Sequence, residues 1–346
     1  MNSMERVVAT LMRTGADRTP VYPILAGVSR KLVNASYKDW STNADICADA
    51  FYKSVKEFDL DTVVTLIDLS VECDAWGQKL VFHENDAAHP DPTQLVIKEI
   101  EDYANIKKVD YKTSKRMMMH IDVCEQLVKK ANGEFPVIAF VFGPLGVLSM
   151  LRNQEDMYMD LYDDPEAVKN ATREVNETLK DYVNALIDTG VNAVMFDTLF
   201  ASGSIMSKKM WAEMEGVFVK ELADICHERK CLVMVHNCGE KIYFDAQIES
   251  MNPCAISFLH IPDDCKDFAE CKEKYGDKIT LIGCVPPPMV VTGTDEEWVT
   301  TCKEQIDVFG KGEGFMLATG CEYPSGSDFT KAKLMVDVAK THTPHH

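Results

Sequence analysis

Eight short apolar runs punctuate this chain, and longer amphipathic stretches separate them. The runs are PVYPIL (20–25), DTVVTLI (61–67), FPVIAFV (135–141), NAVMFD (192–197), CLVMVH (231–236), CAISFLH (254–260), KITLIGC (278–284) and GFMLATG (314–320). Such continuous apolar stretches are the pattern of parallel strands buried on both faces. The segment DPEAVKNATREVNETLKDYVNALIDTG reads as a helix that opens on the cap pair Asp164-Pro165 and stops at Gly190. SKKMWAEMEGVFVKELADICHERK and TDEEWVTTCKEQIDVFGKG show similar periodicity. Eight strands alternating with helices predict an α/β fold, a (β/α)8 TIM barrel. A doubly wound open sheet is the competing arrangement. The stretch 80–134 is too long for one crossover and reads as an insertion after the second strand, near the barrel mouth. We expect one barrel domain over 1–344.

A barrel of this kind carries its site where its strands end. Polar groups occupy those places: Asp68 and Glu72 after the second run, Gly143-Pro144 after the third, and Asp197 at the end of the fourth. His236 and Cys238 follow the fifth run, His260 the sixth, Cys284 the seventh and Cys321 the eighth. The spacing His236-x-Cys238 puts both side chains on one side of an extended segment. Two thiolates and an imidazole suit zinc, and three protein ligands leave a position for water or substrate, as catalytic zinc sites do. The competing reading is a core histidine and unrelated buried cysteines.

His260 is the candidate fourth ligand, or a rim histidine bonded to a carbonyl. Asp197 reads as a partner orienting His236, as a substrate contact, or as the cap of the next helix. Glu72 either faces the pocket or is solvated. Cys231, Cys254 and Cys284 read as core residues. Phosphate-loop, dinucleotide-binding and nucleophile-elbow motifs are absent.

The chain has 346 residues and a formal net charge of −19. Such a surface repels nucleic acid and anionic lipid, so neither is an expected partner. No long apolar span and no cleavage pattern mark the N-terminus, and a cytoplasmic location is expected. Twelve cysteines in that setting are free thiols rather than disulfides. The terminal His345 and His346 are set aside as a possible tag remnant.

At His236-Asn237-Cys238-Gly239 and Gly320-Cys321 the chain resembles the uroporphyrinogen decarboxylase superfamily. It looks closest to the zinc branch, the methylcobamide:coenzyme M methyltransferases and related corrinoid-dependent methyltransferases. SVECDAWG (70–77), FGPLGVLSML (142–151), DDPEAV (163–168), FDTLFASG (196–203) and YGDKITLIGCV (275–285) also fit. The resemblance implies Zn²⁺ on His236, Cys238 and Cys321, and methyl transfer between a corrinoid (methylcobalamin type) on a partner protein and a thiol such as coenzyme M. The reverse direction, from a methyl donor to the corrinoid protein, stays open. So do a zinc-free decarboxylase-like enzyme and a binding protein without turnover. Gly143 and Pro144 are the candidate contacts to the cofactor. The stretch PVYPILAGVSRK lacks the arginine- and glycine-bearing pattern with which the decarboxylases grip carboxylates, which argues against porphyrinogen decarboxylation. His260 stands near where some relatives place a glutamate ligand.

Overall fold

Strands that are apolar on both faces need cover on both sides, and this sets the architecture. The computed structural model describes residues 1–310 and 313–342, so His345 and His346 lie outside the described residues. Seven parallel strands form one curled sheet in chain order. They are β1 (Val63–Val64), β2 (Val137–Phe142), β3 (Ala193–Asp197), β4 (Leu232–Asn237), β5 (Ala255–Phe258), β6 (Thr280–Val285) and β7 (Phe315–Thr319).

The first apolar run, 20–25, is not a regular strand. It lies between β7 and the approach to β1. The Tyr22 N–H donates to the Leu317 carbonyl (2.9 Å), the Leu317 N–H to Pro20 (2.9 Å), and the Asp61 N–H to Val21 (3.0 Å). Pro20 and Pro23 have no N–H to offer a ladder. The run therefore pairs only through isolated bridges, Val21 with Leu317 and Ile24 with Glu322. It takes the eighth place of the expected barrel.

Side chains alternate along each strand, so the barrel has two cores. Tyr22, Phe140, Met195, Met234, Met316 and Ala318 fill the interior. Val141, Phe196, Val235, Phe258 and Leu317 face the surrounding helices. The helix Lys115–Ala131 packs on the helix Ala44–Phe58 and on β2, as a crossover helix does. The added material therefore ends near Ser114 rather than at 134. It includes a small antiparallel hairpin, Leu80–Val81 against His89–Pro90.

The N-terminal end of the barrel is closed by the helix Ser3–Leu11, whose capping box joins Asn2 and Glu5. Met4, Val7 and Leu11 of this helix and Ile138, Met234 and Met316 of the barrel line an apolar cavity there of about 120 Å³. Beside it Asp61, fully buried, is bracketed by Arg6 and Arg18 at 2.6 Å each. All twelve cysteines are free and eight are buried, as a thiol-rich core requires. No helix among the described residues is long and apolar enough to cross a membrane.

Candidate metal centre

The strand register places the polar groups. β3 ends on Asp197, directly opposite His236 on β4, and His236 in turn stands opposite Ser257 on β5. Two residues past His236, Cys238 comes out on the same side. Asn237 between them points away, donating to the Thr198 carbonyl (2.8 Å) and accepting from the Gly239 N–H (2.9 Å). Cys321 arrives from β7 through Gly320. A Cβ at Gly320 would lie 2.7 Å from the Leu259 Cα, so only glycine lets this turn pack against the end of β5.

His236, Cys238 and Cys321 offer ligand atoms that all lie within 4.8 Å of one another. His236 is buried, and the two cysteines are half-buried. Cys238 and His236, both close by, hold the Cys321 thiol well below its ordinary range against burial. The same pairing pushes Cys238 far up, and burial adds to it. Burial would lower His236, but the nearness of Cys321 and the charge of Asp197 outweigh it and raise the imidazole. Two thiols and an imidazole this close together are donors that a cation of matching softness would bind. The donor set fits zinc on that ground.

The other expected residues divide. Asp197 is 5% exposed, its Oδ1 has no hydrogen-bond partner, and burial pushes it up to about 7. It caps no helix, since Ser207 caps the next one. Nor does it orient His236 by a hydrogen bond. Ser257 Oγ does so, 3.0 Å from Nδ1. Glu72 is buried rather than solvated and accepts from the Phe142 N–H (3.0 Å) at the end of β2, with burial raising it to about 8. Gly143 opens the helix Pro144–Arg152. A Cβ there would lie 2.6 Å from Glu215 Oε1 and 2.7 Å from the Asp197 carbonyl, so close packing accounts for this glycine. His260, half-buried beyond β5, is outside the three-donor group. Cys284 is buried on β6.

Three further residues belong to this rim. Glu215 sits in a π-helical turn, Ala212–Gly216, of the kind often found at functional sites. It accepts from the Leu145 N–H (3.1 Å) and the Trp211 indole (2.8 Å), and burial raises it to about 8. Glu322 follows Cys321, accepts from the Gly27 N–H (3.2 Å), and is pushed by burial to about 7. With Tyr37, Asp86 and Tyr323 it walls an open cavity of about 310 Å³. Ser257 had a visible signal, a lone hydroxyl in an apolar strand. Glu215 had none, because a π turn leaves no mark in periodicity.

Comparison with known proteins places the fold. The family model for uroporphyrinogen decarboxylase (URO-D) matches residues 2–342. The uroporphyrinogen decarboxylase of Thioalkalivibrio sulfidiphilus is 22% identical, over 96% of each chain. That of Neisseria meningitidis serogroup B is also 22% identical, over 87% of this chain and 84% of that one. A methyltransferase from Methanosarcina mazei superposes with a TM-score of 0.81 over 98% of each chain at 18% identity. A B12-independent methionine synthase from Shewanella sp. reaches 0.54 at 15% identity, over 93% of this chain and 96% of that one. Similarity at these identities between structures speaks to the fold. The match over nearly the full length shows that the chain belongs to the uroporphyrinogen decarboxylase family.

Proposed function

We propose that this chain is a methyltransferase moving a methyl group between a corrinoid on a partner protein and a small thiol, with His236, Cys238 and Cys321 holding a zinc ion. The observation that carries the reading is the meeting of those three donors at the barrel mouth. When bound, zinc keeps a thiol ionised near neutral pH, where a free thiol is mostly protonated and a poor nucleophile. The chain's own residues do the rest. Ser257 fixes the His236 ring through Nδ1, which leaves Nε2 for the metal. Asp197 Oδ1, buried and unbonded, receives the proton the substrate thiol gives up. Glu72 and Glu215 are positioning residues that hold the end of β2 and the start of the helix Pro144–Arg152. Gly143 and Pro144 are buried between them and support the mouth at which the corrinoid approaches, rather than offering it an exposed contact.

A second reading runs the transfer the other way, from a methyl ether or thioether to the corrinoid. Its support is the same Asp197, whose carboxyl, pushed by burial up to about 7, exchanges its proton near neutral pH and in this direction gives it to the leaving oxygen or sulfur. The two directions share the metal site and the partner. The test is the visible spectrum of methylcobalamin mixed with the zinc-loaded protein and a panel of thiols, then of reduced cobalamin with methyl donors. Loss of the methylcobalamin bands with a thiol supports the first direction, and their appearance with a methyl donor the second. Silence in both, together with carboxyl loss from uroporphyrinogen by metal-free protein, would replace this reading with decarboxylation.

A further inference from the structure

The hairpin at the barrel mouth brings two histidines together. His89 pairs with Val81 across it, and His83 lies two residues beyond Val81, so both side chains leave on one side. Their Nε2 atoms are 3.0 Å apart. The rings lie nearly face to face, 5.1 Å between centroids at 29°. His89 Nδ1 is 2.9 Å from the Pro90 carbonyl. A carbonyl only accepts, so Nδ1 carries the hydrogen, and in the neutral ring Nε2 is then the lone pair. A backbone carbonyl on the far nitrogen is how metal-binding histidines are usually oriented.

Two metal–nitrogen bonds of about 2.0–2.1 Å can span a gap of this size. Imidazole nitrogen suits the late first-row divalent ions, among which Ni²⁺ and Cu²⁺ bind nitrogen tightly. The loop between the two histidines is tied to the barrel. Arg30 donates to Asn85 Oδ1 (3.1 Å), the Tyr37 N–H to the Glu84 carbonyl (2.6 Å), and Asp86 helps wall the cavity that Glu322 lines beside Cys321.

We propose that His83 and His89 form a second metal site, separate from the cysteine centre, that takes a late first-row divalent ion with water completing its shell and clamps the hairpin over the mouth. On binding, the hydrogen on His83 Nε2 moves to Nδ1 through solvent, and both Nε2 lone pairs face the ion. Ni²⁺ is the probe, because Cu²⁺ would oxidise the thiols.

Zinc-loaded protein, freed of excess zinc, is titrated with Ni²⁺ by calorimetry beside His83→Gln and His89→Gln. The terminal histidines and the cysteine centre are common to all three proteins. The wild type should bind one more equivalent than either variant, or bind it at least ~10-fold tighter. Ni²⁺ should also slow amide exchange in residues 80–90 of the wild type alone. Equal Ni²⁺ binding by all three proteins, or unchanged exchange in the hairpin, would overturn the proposal and leave the pair as a hydrogen bond only.

Discussion

The two ends of this barrel treat buried charge in opposite ways. At the N-terminal floor each buried charge has a partner. Asp61 accepts from Arg6 and Arg18 at 2.6 Å and from the Val21 N–H at 2.7 Å, and Arg6 reaches Asp17 as well. At the C-terminal rim Glu72 and Glu215 are buried against neutral donors, and an oxygen of Asp197 is bonded to nothing. Burying a carboxyl without a counter-ion is costly, and carboxyls kept in that state are the kind that cluster at functional sites. The floor is arranged for stability and the rim for chemistry. One residue of the rim, Asp68, follows the floor's rule, paired to Arg116 at 2.6 Å.

The sharpest way to break this comparison is at the rim. Cys321→Ala or Cys238→Ala should drop bound zinc from about one equivalent to near none and abolish methyl transfer, because two donors do not make a zinc site. Metal analysis beside the activity assay reads both, and zinc retained by either variant contradicts the assignment. Next in size is the floor. Asp61→Ala should cost about 3–5 kcal/mol in denaturant unfolding, since Arg6 and Arg18 lose the buried carboxylate between them. Asp197→Asn should cost under about 1 kcal/mol, because it removes no bond from its free oxygen. Equal losses would erase the distinction between the two ends.

Ser257→Ala tests the hydrogen bond that orients His236, and zinc affinity should fall ~10–100-fold in competition with a chelator. The pH dependence sharpens the contrast further. Glu72 and Glu215 stand at about 8 in the fold against an ordinary 4.5. A raised carboxyl binds more protons folded than unfolded between those values. Its contribution is therefore fully present below pH 4.5 and lost as the pH climbs through 8. Each group steepens the fall by at most about 1.4 kcal/mol per pH unit. Glu215→Gln should flatten the wild-type decline in Tm across that window, and an unchanged slope would count against a protonated Glu215. The smallest effect belongs to His260→Ala, which should leave the zinc content unchanged.

The fold was legible in the apolar runs because burial on both faces leaves little choice of residue. The first run was harder to read. Its composition is strand-like, but Pro20 and Pro23 leave it with bridges instead of a ladder. The end of the insertion is not legible in the sequence, since periodicity alone does not separate the helix Lys115–Ala131 from the segment before it. At the site, His236, Cys238 and Cys321 stand out because their chemistry is rare at strand ends. Ser257 and Glu215 do not, because their roles arise from register across strands and from a π turn. The role of Asp197 changes for the same reason. Its partner on the neighbouring strand was a matter of geometry, and Ser257 holds that place.

The most direct test of the central claim is zinc X-ray absorption on the purified protein. Two sulfurs and one imidazole nitrogen from the protein, with the remaining scatterer a water that a substrate displaces, is the expected shell. A shell with fewer than two sulfurs, or one closed by a fourth protein atom that no thiol or methyl donor perturbs, would contradict it.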